Sequence, residues 1–399
     1  MIQFEKWNFK FLFVAGLLFR LIFMAATPNL SQDFYRFIWD GELIRNGINP
    51  YLFVPNTLII EPEFPVANAR ILYEGMGSLS ARHFSNYPPL NQLFFGLSAL
   101  FSEDRIFGNI LFMRSIMILA DVGVLYFGRQ LLGHLNLPKY HAFWYFLNPL
   151  VIIELTGNLH FEGVMLFFFV WSLCLIAKGY WQWAAVVYAL SISVKLVPIL
   201  FLPLFLPFFG FKKSTLFYLL VGGAMLLLLL PFFTVEFIDN YSATIGLWFS
   251  NFEFNAGVYN LIKQIALHFD IKGYELIKDF GKISPYIIIA VILFITFLKK
   301  NNSLSHLLNS MFWILCVYYF LATTIHPWYI IFVALLGVFT QFRFAIVWSG
   351  VVALSYWAYS KSDFKENLWL LLVEYIVIYG FMVYEIRYRN NKKALFCKN

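Results

Sequence analysis

The chain has 399 residues, of which 61% are hydrophobic, 21% aromatic and only 13% charged, with a formal net charge of +7. That composition excludes an ordinary soluble domain and any disordered class, because water cannot be the solvent for so much apolar surface. The basic balance is read first as topology, since Lys and Arg gather in short cytoplasmic loops.

Apolar stretches recur near 11–26, 106–127, 140–155, 161–177, 182–197, 198–210, 214–233, 284–298, 306–325, 328–341, 343–358 and 368–386. Several are shorter than the roughly 20 residues of a full span, which suggests tilted pairs or broken helices. The first has no small-residue cleavage site before Pro28 and is expected to be a retained anchor. Basic residues mark alternate gaps: Lys6 and Lys10, Arg129 and Lys139, Lys178, Lys212 and Lys213, Lys299 and Lys300, Arg343, and Arg387 to Lys393. Placing those gaps in the cytoplasm puts both termini inside and gives about twelve transmembrane helices in an all-α polytopic membrane protein. Most of the chain is expected to lie in a membrane. The gaps at 27–105, 156–160, around 198, 234–283, 326–327 and 359–367 then face outward. The apolar segment from Tyr87 to Phe101 would reverse every later loop if it crossed, so it is expected as a re-entrant or interfacial helix with proline in its first turn. With no internal repeat and no low-complexity linker, residues 1–399 are expected to form a single domain.

The polar motifs fall in the outward gaps. In the long first loop (27–105), Asp33, Arg36 and Asp40 stand at i, i+3 and i+7, one face of a helix. Ser31 offers a start for that helix; Asn46-Gly47 and Asn49-Pro50 end it. On such a helix the two acids lie about 10 Å apart along the axis, too far to share one metal ion. One carboxylate is therefore expected to act on substrate and the other to orient a partner; the alternative is an amphipathic helix with a solvated charged face. The Gly157 to Glu162 stretch, preceded by Asn148-Pro149 and Glu154, breaks two apolar runs. Ionisable groups at membrane depth line a polar cavity or pair. His160 and Glu162, two apart, lack metal-ligand spacing, so hydroxyl recognition or a simple turn are the two readings. Lys195 either snorkels to the interface or meets a phosphate, as Arg36 or His326 also can. His326-Pro327-Trp328-Tyr329 is either an aromatic-belt element or a broken helix end open to ligand. Asp239, Asn251, Glu253 and Asn255 of the 234–283 loop read mainly as solvated surface that can cover the site. Cys174, Cys316 and Cys397 suggest neither a disulfide framework nor a metal site, and no basic run with interleaved aromatics points to nucleic acid.

Asp33, Tyr35 to Gly41, Gly47 to Tyr51 and Tyr87 to Leu90 together resemble the first external loop of GT-C glycosyltransferases. They are most similar to bacterial mannosyltransferases that use polyprenyl-phosphate sugars and to the first mannosyltransferase of GPI-anchor synthesis. The Asn148-Pro149, His160–Glu162, Lys195–Pro198 and His326–Tyr329 elements occur in the same order. The resemblance implies a GT-C-like helical bundle whose first external loop carries an acid acting on the acceptor. Asp33 and Asp40 are the implied catalytic pair. Tyr35, Arg36, His160, Glu162, Lys195, His326, Trp328 and Tyr329 are the expected substrate or phosphate contacts. The eukaryotic relatives have Asp-x-Asp where this chain has Ser31-Gln32-Asp33, so a metal-dependent mechanism loses support and no cofactor is expected. The expected partners are a polyprenyl-phosphate sugar, with mannose as the hexose, a glycan, glycolipid or other hydroxyl acceptor, and membrane lipid. A transporter or flippase of a lipid-linked sugar is the rival reading; a scaffold subunit with a degenerate site is a third.

Overall fold

The computed structural model describes residues 2–62, 64–250, 252–361 and 364–396, so the expected roles of Asn251 and Cys397 lie outside the described residues. The described chain is helical throughout, with one isolated parallel β-bridge between Phe254 and Thr324. It divides into two compact units, 1–147 with 151–248, and 148–150 with 249–399.

Five helices among the described residues are long and apolar enough to cross a membrane: Asn8–Ala25, Ile106–His134, Phe211–Phe232, Gly273–Leu298 and Leu368–Arg389. A sixth span arises if Pro149–Gly157 and Glu162–Ala177, bent by 114° across a short break, count as one. The other apolar stretches form shorter helices, Trp181–Val194, Val197–Phe209, Leu304–Phe320, Pro327–Thr340 and Phe344–Ser360. The count of about twelve therefore resolves into a few full-length helices and several short ones. Prolines explain much of the shortening: Pro198 and Pro327 each sit in the first turn of a helix, where a ring without an N–H costs nothing.

In the first unit, α1 (Ile2–Leu21) leads through a 3₁₀ turn to the first loop. That loop holds three helices of 13 residues each: α2 (Asp33–Arg45), α3 (Ala69–Ala81) and α4 (Pro89–Phe101). The span α5 (Ile106–His134) follows, then α6 (Glu162–Ala177), α7 (Trp181–Val194), α8 (Phe211–Leu229) and α9 (Val235–Ser250). The second unit contains α10 (Gly257–His268), α11 (Gly273–Leu298), α12 (Leu304–Phe320), α13 (Ile330–Thr340), α14 (Phe344–Val351) and α15 (Leu368–Phe396). Within it the Glu385 carboxylate accepts the Arg343 and Phe344 amide N–H groups at 2.9 and 3.1 Å, satisfying donors at the start of α14.

The α2 helix is not the solvated amphipathic element that its charges allow. Every residue from Arg36 to Leu43 is buried. Gly41 makes this possible: a Cβ there would meet the Phe95 carbonyl oxygen at 2.3 Å, so only glycine lets α2 lie directly against α4. The helix begins at Asp33, two residues later than Ser31. The Ser31 hydroxyl accepts the Asp33 N–H at 3.2 Å, a local turn that ends where the helix begins. At the other end Gly47, at φ +72°, turns the chain out of the helix. Proline in the first turn also sets α4, with Pro88 before it and Pro89 as its first residue. At 13 residues, α4 is about 20 Å long, short of a bilayer core.

Candidate functional site

All the site residues described next belong to the first unit. Asp40 is fully buried and accepts three hydrogen bonds. Arg36 Nε donates to its Oδ1 at 2.7 Å, while the Ser85 hydroxyl and the Gln92 amide donate to its Oδ2 at 2.5 and 3.0 Å. Arg36 also donates through Nη1 to the Ser80 and His83 carbonyls at 2.8 and 3.0 Å. This network pins α2 to the end of α3 and to α4. Tyr35 points elsewhere, with its ring against Gly75, where a Cβ would come within 2.7 Å.

Asp33, at the first position of the same helix, is in a different state. It is half-buried, and among the described residues its carboxylate has neither a hydrogen bond nor an ion pair. Burial pushes its pKa above the ordinary 3.8; His160 and Lys195 pull it back, and Glu162 and Glu154 push it up. Those four names identify its electrostatic neighbours, so the structure gathers Asp33, His160, Glu162 and Lys195 in one neighbourhood. The Tyr87 hydroxyl is also driven well above its ordinary range, first by burial and next by Asp33.

Three of the neighbours come from the break before α6, and Lys195 comes from the end of α7. Residues Ile152–Gly157 form a π-helical turn, a widened helix that frees backbone groups. Leu159 then adopts φ +65° while fully buried, a conformation that costs a branched residue on the order of 1–3 kcal/mol. Arg114 on α5 holds this irregular backbone. It donates to the Thr156 and Gly157 carbonyls at 2.8 and 3.1 Å, and to those of Met24 and Ala26 at 3.1 and 2.7 Å. Beyond the break, His160 Nε2 lies 3.3 Å from Glu154 Oε2, to which Asn158 donates at 3.2 Å; Asn158 in turn accepts the Leu30 N–H at 3.2 Å. Glu162 opens α6 and pairs with Lys195 Nζ at 3.0 Å. Lys195 sits where α7 ends in extended backbone, its side chain 25% exposed, with Nζ 6.0 Å from the centre of the Tyr87 ring. Asn91 of α4 donates to the Val194 carbonyl at 2.7 Å, fixing the residue next to Lys195.

Sequence reasoning missed Arg20, Arg114, Asp121, Ser85, Asn91 and Gln92. Arg20 of α1 and Asp121 of α5 form a wholly buried pair at 2.8 Å, with the Tyr145 hydroxyl donating to the same carboxylate at 2.8 Å. A signal existed for three of them, since an ionisable residue inside an apolar run asks for a partner.

His326, Trp328 and Tyr329 fall in the second unit. His326 is stacked between Phe254, with ring centres 5.1 Å apart, and Trp328, at 4.4 Å, and its Nδ1 lies 3.3 Å from the Tyr359 hydroxyl. Tyr329 meets the His326 ring edge-on at 5.5 Å. Among the described residues no group of three or more His, Cys, Asp and Glu side chains is arranged to hold a metal ion.

Residues 7–209, which carry this whole site, match the family model described as alpha-(1->6)-mannopyranosyltransferase, N-terminal domain. A curated relative, alpha-(1->6)-mannopyranosyltransferase A of Mycobacterium tuberculosis (strain ATCC 25618 / H37Rv), is 23% identical over 173 residues. That alignment covers 43% of this chain and 32% of the relative, so the match spans about a third of the relative's length. With the family match extending over half of its length, the chain belongs to the alpha-(1->6)-mannopyranosyltransferase family.

Proposed function

We propose that the chain is a membrane mannosyltransferase that moves mannose from a polyprenyl-phosphate donor to a hydroxyl on the external face of a bacterial inner membrane. The relative's name suggests a 6-hydroxyl as acceptor and an α-linkage in the product. The observation that carries this reading is the contrast between two acids on one helix. Asp40 accepts three hydrogen bonds across both of its oxygens, whereas Asp33 keeps a half-buried carboxylate with no hydrogen-bond or ion-pair partner among the described residues. A rigid helix that begins with an acid whose oxygens are open suits a general base.

In the proposed step, Asp33 takes the proton of the acceptor hydroxyl as that oxygen attacks the anomeric carbon. The bond from that carbon to the phosphate oxygen breaks, and its electron pair leaves on the phosphate. The leaving phosphate needs no proton at neutral pH, so a cation replaces a general acid. Lys195 suits that task, because it is partly exposed and aimed by Glu162. Arg36 suits it less well, because it is buried and its Nε and Nη1 already serve Asp40, Ser80 and His83. A single displacement inverts the anomeric centre, so an α-linked product requires a β-linked donor. The raised pKa of Asp33 fits the role, since a carboxylate that is costly to ionise is a stronger base once ionised.

The test is reconstitution of the purified protein with labelled polyprenyl-phosphate mannose and an α-mannoside acceptor, reading both transfer and the anomeric configuration by NMR. An α-mannosylated product from a β-donor is the expected result. Movement of the lipid-linked sugar across the vesicle wall without transfer would replace this reading with a flippase.

A further inference from the structure

The two ends of α5 carry different machinery. At one end Arg114 holds the broken backbone beside the candidate site; fifteen residues later, about 22 Å along the helix, Arg129 faces a separate groove. That groove encloses about 360 Å³, within the size range of lipid and small-molecule pockets. Its walls are apolar, built by Phe9 and Phe13 of α1 and Val122 and Leu125 of α5. Its polar side carries Arg129, Gln130 and Lys139, and none of the described residues lining it is acidic. The Arg129 guanidinium carbon lies over the Phe9 ring, 4.2 Å from its centre, so the cation is held at the groove. Lys178 adds a third positive charge by donating to Gln130 at 2.6 Å.

We propose that this groove binds an anionic membrane phospholipid, with the phosphate headgroup against Arg129 and Lys139 and the acyl chains along the Phe9–Phe13 wall. Charge and shape select this occupant together. Two or three cations around one opening attract a phosphate, and an apolar wall beside them accepts only a ligand with a hydrocarbon part. The site is separate from the proposed donor site, because it occupies the other end of the same helix. It also lies on the side where the basic loops 129–139 and 178 gather, the side expected to face the anionic leaflet. The lipid would brace α1 against α5 at the end where the Arg20–Asp121 pair does not reach.

The test uses the full-length protein in detergent and compares retention of phosphatidylglycerol with phosphatidylcholine of the same chains by native mass spectrometry. Wild type should retain phosphatidylglycerol preferentially. The R129Q/K139Q variant should lose about tenfold of that retention while phosphatidylcholine binding is unchanged. Lys139 is exposed, so K139Q alone cannot unfold the protein and should show a smaller loss in the same direction. K212Q/K213Q, which removes two exposed lysines that do not line the groove, should behave as wild type. Equal retention of the two lipids by wild type would overturn the proposal, as would an unaffected double variant or an equal loss in K212Q/K213Q. Displacement of phosphatidylglycerol by an equal amount of polyprenyl phosphate would also overturn it, assigning the groove to the sugar carrier.

Discussion

Substituting asparagine at each of the two α2 acids should separate chemistry from architecture. At position 33 the change removes one charge and leaves no buried group orphaned, because the carboxylate has no hydrogen-bond or ion-pair partner among the described residues. Burial already disfavours its ionised form, so D33N is expected to unfold at or slightly above the wild-type midpoint. Turnover should fall by about 10² to 10⁴, the usual worth of a general base, or about 3–5 kcal/mol of barrier. At position 40 the same change strands the Arg36 guanidinium, 4% exposed, without its counter-charge. The new amide also replaces an oxygen that accepts from Ser85 and Gln92. Breaking such a pair costs on the order of 3–5 kcal/mol, so D40N should lose thermal stability heavily. The assays are thermal unfolding in detergent and initial rates of mannosyl transfer under matched conditions. Transfer by D33N within tenfold of wild type, or wild-type stability in D40N, would refute the division of labour.

Four further outcomes follow from the same geometry. In K195M, turnover should fall about 10²-fold while K195R retains part of it, measured in single-turnover reactions with donor saturating; equal activity in both variants would remove Lys195 from the phosphate. R20M leaves Asp121 buried without its partner and should cost about 3–5 kcal/mol, with R20M/D121L recovering most of it in a double-mutant cycle of unfolding. The acid limb of kcat/KM should lie above the ordinary 3.8 of an aspartate, because burial raises Asp33. The sign for stability is opposite: the unfolded chain ionises Asp33 first, so this group's contribution declines as pH rises from 3.8 through the folded value, and D33N should abolish that decline. G41A should destabilise by about 1–3 kcal/mol, read as a lowered unfolding midpoint, because its Cβ would strike the Phe95 carbonyl rather than a movable side-chain tip.

Much of the first loop was legible because its signals are local. The limits of α2 follow from Gly47 and Asn49-Pro50, and the proline start of α4 from Pro88-Pro89, all within a few residues of the boundary they set. The polar break at 157–162 was visible for the same reason. The partners of those groups were not. Arg20 finds Asp121 across 101 positions, Asn91 finds Val194 across 103, and no periodicity links such distant residues. The fate of the two acids was equally hidden: i and i+7 spacing puts them on one face, but only the packing of α4 decides that Asp40 is sealed and Asp33 is not. Helix lengths were harder to read, because an apolar run reports its solvent and not its length as a helix. The separate runs at 182–197 and 198–210, and at 328–341 and 343–358, do correspond to separate short helices, parted near Pro198 and by the left-handed turn at Gln341.

Two consecutive residues of α4 do separate jobs. Gln92 ties the helix to the acid at the middle of α2, and Asn91 ties it to the last carbonyl before Lys195. One short rod thus gauges the interval between the proposed base and the proposed phosphate cation. A slip of α4 would carry both along and preserve their spacing, whereas two independent mounts would let errors accumulate. Reacting groups misplaced by about 1 Å can lose a hundredfold in rate, so a common mount is worth keeping in a membrane whose thickness fluctuates. On this view, substitutions within α4 should be tolerated when they shift it whole, and should be damaging when they break the Asn91 bond to Val194 or the Gln92 bond to Asp40.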